Sequence, residues 1–271
     1  KTIQIIPHIT DEIKRNVKLL GNKYKFDFVI TEIGGTVGDI ESLPYLESIR
    51  QLKWELGRNA LCVHLTYVPY LAAAGELKTK PTQHSVKELQ SVGIQPDILV
   101  LRTEHNLNTN LKKKVALFCN VDESAVVQSM DMPTIYEVPL RMQEQKLDVT
   151  ILEKMGLPVG ETPELGPWKE FLNRRHNATE KVTIGLVGKY DLQDAYKSIL
   201  EALSQAATYN DRKADIHFIN SEKLTDENVE EMLKDMDGVI ICPGFGQRGI
   251  EGKFVALKYC RTHDVPTFGI C

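Results

Sequence analysis

The first residues suited to chemistry form an acidic, glycine-rich segment at residues 32–41, EIGGTVGDIE. This segment overlaps the end of the apolar run 26–33, which predicts a buried strand. Parallel-sheet proteins bind ligands at the carboxyl ends of strands, where a carboxylate such as Glu32 can reach Mg²⁺ on nucleotide phosphates. The glycines allow backbone N–H groups to approach a ligand closely. The alternative is an ordinary loop whose acidic residues favour the dipole of a following helix, and spacing alone leaves both readings open.

A second candidate site is a basic segment at residues 75–85, GELKTKPTQHS, which follows the apolar run 60–67. Lys78 and Lys80 flank Thr79, and Pro81 predicts a helix whose first turn offers free N–H groups to an anion. Two lysines beside a helix N-terminus suit a triphosphate. The alternative is a charge pair on a surface loop, and the lysine run 112–114 is typical of a solvated helix face.

A third candidate is the cysteine at the end of residues 269–271, GIC, which follow a predicted strand. A nucleophile on a tight turn after a strand is sharply exposed, and a following helix N-terminus favours its thiolate. Residues 243–249, PGFGQRG, follow a neighbouring predicted strand and supply backbone N–H groups that can stabilise an oxyanion. The alternative for Cys271 is a structural cysteine buried in a strand.

Two sets of alternating strands and helices would position these residues. In the first half the apolar runs 3–6, 26–33, 60–67, 97–101 and 125–129 predict strands separated by helical patterns. In the second half strands are predicted at 182–187, 215–220, 238–242 and 267–271, and helices at 194–209, 225–235 and 249–262. This alternation predicts an α/β fold with two doubly wound parallel-sheet domains, 1–147 and 182–271. The segment 148–181, rich in Gly and Pro, predicts an interdomain linker with some helix at 168–174.

The amino-acid composition limits the classes of function that the protein could have. The 271 residues are 42% hydrophobic and 26% charged, with a net charge of −4, which argues against a nucleic-acid-binding surface. No targeting segment and no apolar run of membrane-spanning length is present, so no membrane partner is expected. The five cysteines form no CxxC pair and predict reduced thiols in a cytoplasmic protein. The chain begins without methionine and ends in a predicted strand, so we expect it to be part of a longer polypeptide.

Three segments together resemble the amidoligase domain of CTP synthase: residues 6–10 (IPHIT), 32–41 and 78–83 (KTKPTQ). The resemblance extends over essentially the whole chain and implies a P-loop-type amidoligase domain. It implies that Glu32 binds Mg²⁺ at an ATP–UTP site. The implied UTP and CTP contacts are Asp39, Ile40, Glu41, Lys78, Thr79, Lys80, Pro81, Thr82, Gln83 and Lys114. Met130, Asp131 and Met132 occupy the family's adenine-contacting segment, although they match its sequence poorly.

The second half resembles a class I glutamine amidotransferase domain. The resemblance implies that Cys271 attacks the glutamine amide and that Gly244 is the family's glutamine-binding glycine. One departure is visible, because the family usually has PGGFG where this chain has CPGFG, which places Pro243 at a glycine position and removes one N–H. Residues 187–190 (VGKY) and 194–197 (DAYK) also match the family, where they open this domain and face the interdomain region.

The resemblance implies ATP-dependent amination of UTP to CTP with ammonia from glutamine. Mg²⁺ would accompany ATP and UTP, GTP would activate, CTP would inhibit, and the protein would form homotetramers and possibly filaments. The sequence has no G-x-x-x-x-G-K-[ST] run, so the P-loop is expected before Lys1. The His and Glu partners of the cysteine are expected after Cys271. Both domains are therefore expected to be incomplete and these residues alone inactive.

Two other functions are compatible with parts of the pattern. Another P-loop amidoligase, similar to dethiobiotin synthetase, would explain the acidic loop but not the Cys271 half. An inactive nucleotide-binding or filament-forming homologue would explain the missing catalytic segments.

Overall fold

The computed structural model describes residues 2–190 and 193–271 of the chain. The chain divides into two compact units, Lys1–Pro163 (unit 1) and Glu164–Cys271 (unit 2). Within the described ranges, every helix is too short or too polar to cross a membrane.

Unit 1 contains a parallel three-stranded sheet in the order β1-β4-β5 and a small antiparallel hairpin, β2-β3. The strands are β1 (Val63–Tyr67), β2 (Tyr70–Leu71), β3 (Glu76–Leu77), β4 (Ile98–Thr103) and β5 (Val126–Met130). The helices are α1 (Thr10–Tyr24), α2 (Leu43–Leu56), α3 (Lys80–Ser91), α4 (Thr109–Cys119), α5 (Val138–Glu144) and α6 (Leu147–Met155).

The central strand of this sheet is buried on both faces. Leu99 and Leu101 of β4 pack in a core cluster with residues of α3 and α4. Ile98 and Val100 point to the opposite face, where residues of α5 and α6 pack. Successive strand side chains alternate between faces, so a strand covered by helices on both sides has to be apolar throughout. The predictions at 60–67, 97–101 and 125–129 are confirmed as β1, β4 and β5, with ends shifted by up to three residues.

Two predicted strands of the first half are wrong. Residues 3–6 lie in an exposed segment that leads into an irregular helical turn at Ile5–Ile9. Residues 26–33 form no strand, and the side chain of Ile30 is 96% exposed. A strand requires a hydrogen-bonded neighbour, and among the described residues β1 pairs only with β4, so the apolar run 26–33 has no partner in this sheet.

Unit 2 contains a four-stranded parallel sheet in the order β7-β6-β8-β9. The strands are β6 (Lys181–Gly188), β7 (Lys213–Asn220), β8 (Gly238–Ile241) and β9 (Thr267–Gly269). The helices are α7 (Gly166–Asn177), α8 (Lys197–Tyr209), α9 (Val229–Leu233) and α10 (Ile250–Thr262), and a 3₁₀ turn at Gln193–Tyr196 precedes α8.

Helices also cover both faces of this second sheet. Val239 and Ile241 of β8 pack with residues of α9 and α10, whereas Ile240 packs against a cluster that α8 completes. The predicted α/β fold with two parallel-sheet domains is therefore confirmed. All four predicted strands of this half are present, and the helix predicted at 225–235 is shorter, at Val229–Leu233.

The segment 148–181 contains more helix than the sequence indicates. Most of α6 lies in it, and Ile151 of that helix packs against the core of unit 1. Helix α7 covers the predicted stretch 168–174 and buries Leu172. The domain boundaries at 147 and 182 remain a prediction.

Candidate functional site

Three loops of unit 2 leave the sheet at the same edge. In the parallel registers Val187 lies beside Ile241, and Ile241 lies beside Gly269. Cys242 N–H donates to Val187 O at 2.9 Å, and Ile270 N–H donates to Ile241 O at 3.1 Å. The carboxyl ends of β6, β8 and β9 are therefore level, and ligands of such sheets bind at this edge.

Cys271 lies at this edge, two residues beyond β9, and its side chain is exposed. Its φ of +77° is unusual for a residue with a side chain and is typical of a strained, sharply exposed position. The other four cysteines are free thiols that are buried or half-buried. Burial raises the pKa of Cys119 and of Cys242 to about 11, which keeps both protonated at neutral pH. Of the five cysteines, Cys271 is the one with an exposed side chain.

The loop 242–246 follows β8 and carries Gly244. Gly244 is half-buried, and a Cβ atom built there would lie 2.8 Å from Cε of Lys189, so a larger residue would collide with the lysine stem. Gly246 has a φ of +78°, a conformation that favours glycine. The structure thus brings Gly244 and Cys271 to one edge of one sheet.

Three side chains bind the carbonyl groups of this loop. Lys253 Nζ donates to Cys242 O at 2.8 Å, and Tyr196 Oη donates to Pro243 O at 3.4 Å. Lys189 Nζ donates to Phe245 O. Composition and spacing did not single out these three donors; Lys189 and Tyr196 lie in the family-matching segments 187–190 and 194–197.

In unit 1 the basic segment is held by the β2-β3 hairpin and the start of α3. Lys78 N–H donates to Pro69 O at 2.9 Å, and the Lys78 ammonium group pairs with the Glu76 carboxylate. A hydrogen bond from Lys78, and then the charges of Lys78 and Lys114, lower the pKa of Glu76. The positive charges of Lys78 and Lys114 therefore both stabilise the ionised carboxylate of Glu76. Lys80 is the first residue of α3.

The polar side chains that follow Lys78 are largely hydrogen-bonded to other groups of unit 1. Thr79, Thr82 and Gln83 are all buried. Gln83 Nε2 donates to Thr79 Oγ1 at 3.2 Å, and the hydroxyl groups of Thr82 and Thr66 are 2.8 Å apart. Pro81 is exposed in the first turn of α3. These contacts fix the start of α3, where the first backbone N–H groups and the lysines remain the groups suited to a phosphate.

The acidic loop 34–39 is a compact turn. Thr36 N–H donates to Asp39 Oδ2 and Asp39 N–H donates to Thr36 O, both at 3.1 Å. Glu32 and Glu41 are exposed, and Ile40 is 80% exposed. A Cβ atom at Gly38 would lie 3.5 Å from Cγ of Glu88, which places the loop beside the second half of α3. Lys80 begins the same helix, about 12 Å along its axis from Glu88.

No group of three or more His, Cys, Asp or Glu side chains in the described part of the chain could hold a metal ion. Mg²⁺ that accompanies nucleotides is typically bound by one or two carboxylates and the phosphates. Glu32 is an exposed carboxylate.

The segment 130–132 lies at the carboxyl end of β5. Asp131 N–H donates to Thr103 O at 2.9 Å, and Arg102 Nε donates to Asp131 Oδ1 at 3.0 Å. Met130 and Met132 are half-buried. Nearby, the Tyr67 hydroxyl group donates to the Glu104 carboxylate, a contact that raises the pKa of Tyr67. Sequence reasoning missed Tyr67, Arg102 and Glu104, although each lies at the carboxyl end of a confirmed strand.

Comparison with known proteins supports both halves of the chain. The family profile of the CTP synthase N-terminus matches residues 1–157, and the profile of class-I glutamine amidotransferases matches residues 191–271. The CTP synthase of Bacteroides thetaiotaomicron is 83% identical over 273 residues, which cover 100% of this chain and 51% of that relative. The CTP synthase of Porphyromonas gingivalis (strain ATCC 33277) is 70% identical over 272 residues, which cover 100% of this chain and 50% of the relative.

The chain spans about half the length of the curated relatives it matches. The amidotransferase profile covers the part of unit 2 that carries Gly244 and Cys271, a part that a plain amidoligase would not explain. The first profile covers more than half of the residues, and the chain belongs to the CTP synthase family.

Proposed function

We propose that this chain forms part of an enzyme that converts UTP to CTP, using ATP and ammonia released from glutamine. The observation that carries the proposal is the shared edge of the unit 2 sheet, where exposed Cys271 and the Gly244 loop follow neighbouring parallel strands. Together with the two family matches, this arrangement favours a glutamine-hydrolysing ligase.

In the proposed glutaminase step the Cys271 thiolate attacks the carboxamide carbon of glutamine. A C–S bond forms and the carbonyl π electrons move to oxygen, which becomes an oxyanion that the Gly244 N–H would stabilise. Collapse of this adduct breaks the C–N bond, and the nitrogen takes a proton and leaves as ammonia. Water then hydrolyses the thioester to glutamate and restores the thiol.

In the proposed ligase step the γ-phosphoryl group of ATP moves to O4 of the uracil ring. Ammonia then attacks C4, a C–N bond forms, and the C4–O bond breaks to release phosphate. Lys78, Lys80 and Lys114 would bind the UTP triphosphate, while Asp39, Ile40 and Glu41 would contact the pyrimidine. Mg²⁺, held by Glu32 and the phosphates, would neutralise phosphate charge when bound. The segment Met130, Asp131 and Met132 would contact the adenine of ATP.

We further propose the regulation and assembly that the family resemblance implies. GTP would activate glutamine hydrolysis, and CTP would inhibit by occupying the UTP site. The complete protein would be a cytoplasmic homotetramer that can form filaments.

The first test is Cys271→Ala in the full-length protein. Glutamine-dependent CTP formation should fall to background, because no nucleophile remains, whereas ammonia-dependent formation should stay within about twofold. The matched control is Cys260→Ala, which alters a buried thiol of the same unit. An equal fall of both rates in Cys271→Ala would show that Cys271 is not the glutaminase nucleophile.

The second test is Glu41→Ala. Loss of this exposed carboxylate should weaken inhibition by CTP by about tenfold, in line with a lost hydrogen bond to a charged group, and should change the KM for ATP much less. Glu153→Ala on α6 is a control in the same unit. Unchanged inhibition by CTP would contradict the assignment of Glu41 to the pyrimidine site.

A further inference from the structure

The loop that carries Gly244 is held by side chains rather than by a sheet partner. Its carbonyl groups at Cys242, Pro243 and Phe245 accept hydrogen bonds from Lys253, Tyr196 and Lys189 respectively. The donors come from three separate segments, because Lys253 lies on α10, Tyr196 immediately precedes α8, and Lys189 follows β6. Three separate segments therefore converge on one short loop.

Two of these donors are buried side chains. Lys189 is only 5% exposed and Tyr196 is 3% exposed. Burying a lysine is unfavourable unless its ammonium group is hydrogen-bonded, and Lys189 donates to Phe245 O. Its ammonium group also lies 5.4 Å from the centroid of the Tyr190 ring, a cation–π contact.

The backbone around these donors is adapted to them. A Cβ atom at Gly188 would lie 2.6 Å from Tyr196 Oη, so only glycine at this position leaves room for the tyrosine hydroxyl group. Lys189 Cε occupies the space where Gly244 would carry a side chain. Lys189 and Tyr196 therefore both pass through space that a side chain at Gly244 or Gly188 would fill.

The direction of the Tyr196 hydroxyl proton follows from its surroundings. Burial raises the pKa of Tyr196, so it is a neutral donor at physiological pH. Its hydroxyl group lies 3.4 Å from Pro243 O and can donate its single proton to that oxygen.

Fixing a carbonyl group fixes the N–H of the same peptide. These peptides are trans and planar, so the N–H of Gly244 points away from the Pro243 oxygen that Tyr196 holds. In the same way the N–H of Gly246 points away from the Phe245 oxygen that Lys189 holds. Pro243 has no N–H, so Gly244 supplies the first backbone donor of the loop after Cys242.

We propose that Lys189, Tyr196 and Lys253 are positioning residues that clamp the carbonyl groups of loop 242–246. Tyr196 orients the Gly244 N–H toward the oxyanion of the glutaminase step, and the two lysines hold the peptides on either side of it. This inference rests on the proposed glutamine hydrolysis at Cys271. The clamp acts on the reaction only through the loop, since none of the three side chains needs to touch glutamine.

The test compares Lys189→Met, Tyr196→Phe and Lys253→Met in the full-length protein, because each change keeps the packing volume and removes only the donor. Glutamate release should show a kcat lowered roughly 10- to 100-fold, somewhat less than the loss of an oxyanion donor itself, while the KM for glutamine changes little. CTP formation from ammonium ions should stay within about twofold. Lys258→Met, an exposed lysine of α10 paired with Asp226, is the matched control and should hydrolyse glutamine normally.

A second measurement separates positioning from mere structural support. An aldehyde analogue of glutamine forms a tetrahedral adduct with a cysteine thiolate, so its affinity should fall in the clamp variants by about the same factor as kcat. Normal glutamate release in both Lys189→Met and Tyr196→Phe would overturn the clamp, as would an equal loss of the glutamine and ammonia reactions. Persistent glutamate release in Cys271→Ala would instead overturn the proposed function itself.

Discussion

The two units hold the loops of their candidate sites in different ways. In unit 2 the loop after β8 is bound by three side-chain donors, and the residues beneath it are buried. In unit 1 the acidic loop 34–39 is held mainly by its own hydrogen bonds, between Thr36 and Asp39. The carboxylates of Glu32 and Glu41, which flank this loop in the sequence, are exposed. A parallel sheet determines where a loop leaves the core, whereas separate side chains determine whether the loop has one conformation.

This difference matches the chemistry proposed for each unit. An oxyanion donor has to be placed before the reaction, because its benefit comes from not having to reorganise. A nucleotide brings its own charges and its own Mg²⁺, so carboxylates on an exposed loop can be ordered when it binds. In unit 1 the rigid part is instead the base of the edge, where Gln128 bonds Thr103, Leu107 and His105.

The largest expected effect is that of Gly252→Ala, which tests how closely α10 packs against the backbone of unit 2. A Cβ atom at Gly252 would lie 1.8 Å from the backbone oxygen of Ser221, so α10 would have to move and would carry Lys253 with it. Such overpacking against backbone should cost about 3 kcal/mol or more of unfolding free energy, measured by urea denaturation.

The control for this change is Gly269→Ala, where no atom lies within 4 Å of the added Cβ. Its unfolding free energy should stay within about 0.5 kcal/mol of the unmodified protein. If Gly252→Ala behaved like this control, the close approach of α10 to Ser221 would not be needed for folding.

A smaller effect is expected for Gln128→Leu, which tests the rigid base of the unit 1 edge. Gln128 is 5% exposed, and its loss would leave the buried Leu107 N–H and the His105 carbonyl group without this partner. The expected loss is about 2 kcal/mol of unfolding free energy. Gln90→Leu, which removes only an exposed bond to Gln95, should cost under about 1 kcal/mol, and equal losses would contradict the role given to Gln128.

The smallest effect is a pH dependence carried by His64. Its Nε2 lies 2.9 Å from Ser85 Oγ and joins β1 to α3, and burial lowers its pKa from 6.5. As the pH falls, His64 therefore takes up a proton at a higher pH in the unfolded chain than in the folded unit. The contribution of neutral His64 to the unfolding free energy is fully present above pH 6.5 and decreases as the pH falls below that value. His64→Gln should flatten the dependence of the urea midpoint on pH between 7.5 and 5.5, taken as about one unit on either side of the ordinary histidine pKa. A pH profile of His64→Gln parallel to that of the unmodified protein would contradict the assignment.

Much of the fold could be predicted from the sequence because its central strands contain buried apolar runs. Residues 98–101 of β4 and 184–187 of β6 are such runs, and helical patterns alternate with them. Residues 26–33 are also largely apolar but form no strand, since an apolar run does not specify whether a strand partner is available. Among the site residues, Cys271 and Gly244 could be placed from their positions after predicted strands.

The anchors of the sites could not be predicted in the same way. Tyr196 and Lys253 lie 47 and 11 residues from the carbonyl groups they bind, and Lys189 lies 56 residues from its own acceptor. Such contacts depend on the final packing of the sheet edge, and a lysine in a sequence is most often on a solvated surface. The buried state of Lys189 follows only from Gly244 leaving space for it.

The identity of the donors also bears on the electrostatics of the unit 2 edge. Two of them are ammonium groups, which attract the oxygen end of a peptide dipole. The peptide that Lys189 holds therefore turns its hydrogen end, the Gly246 N–H, to the opposite side. Negative charge that develops there during a reaction would be stabilised by dipoles already aligned, with little rearrangement of solvent or protein.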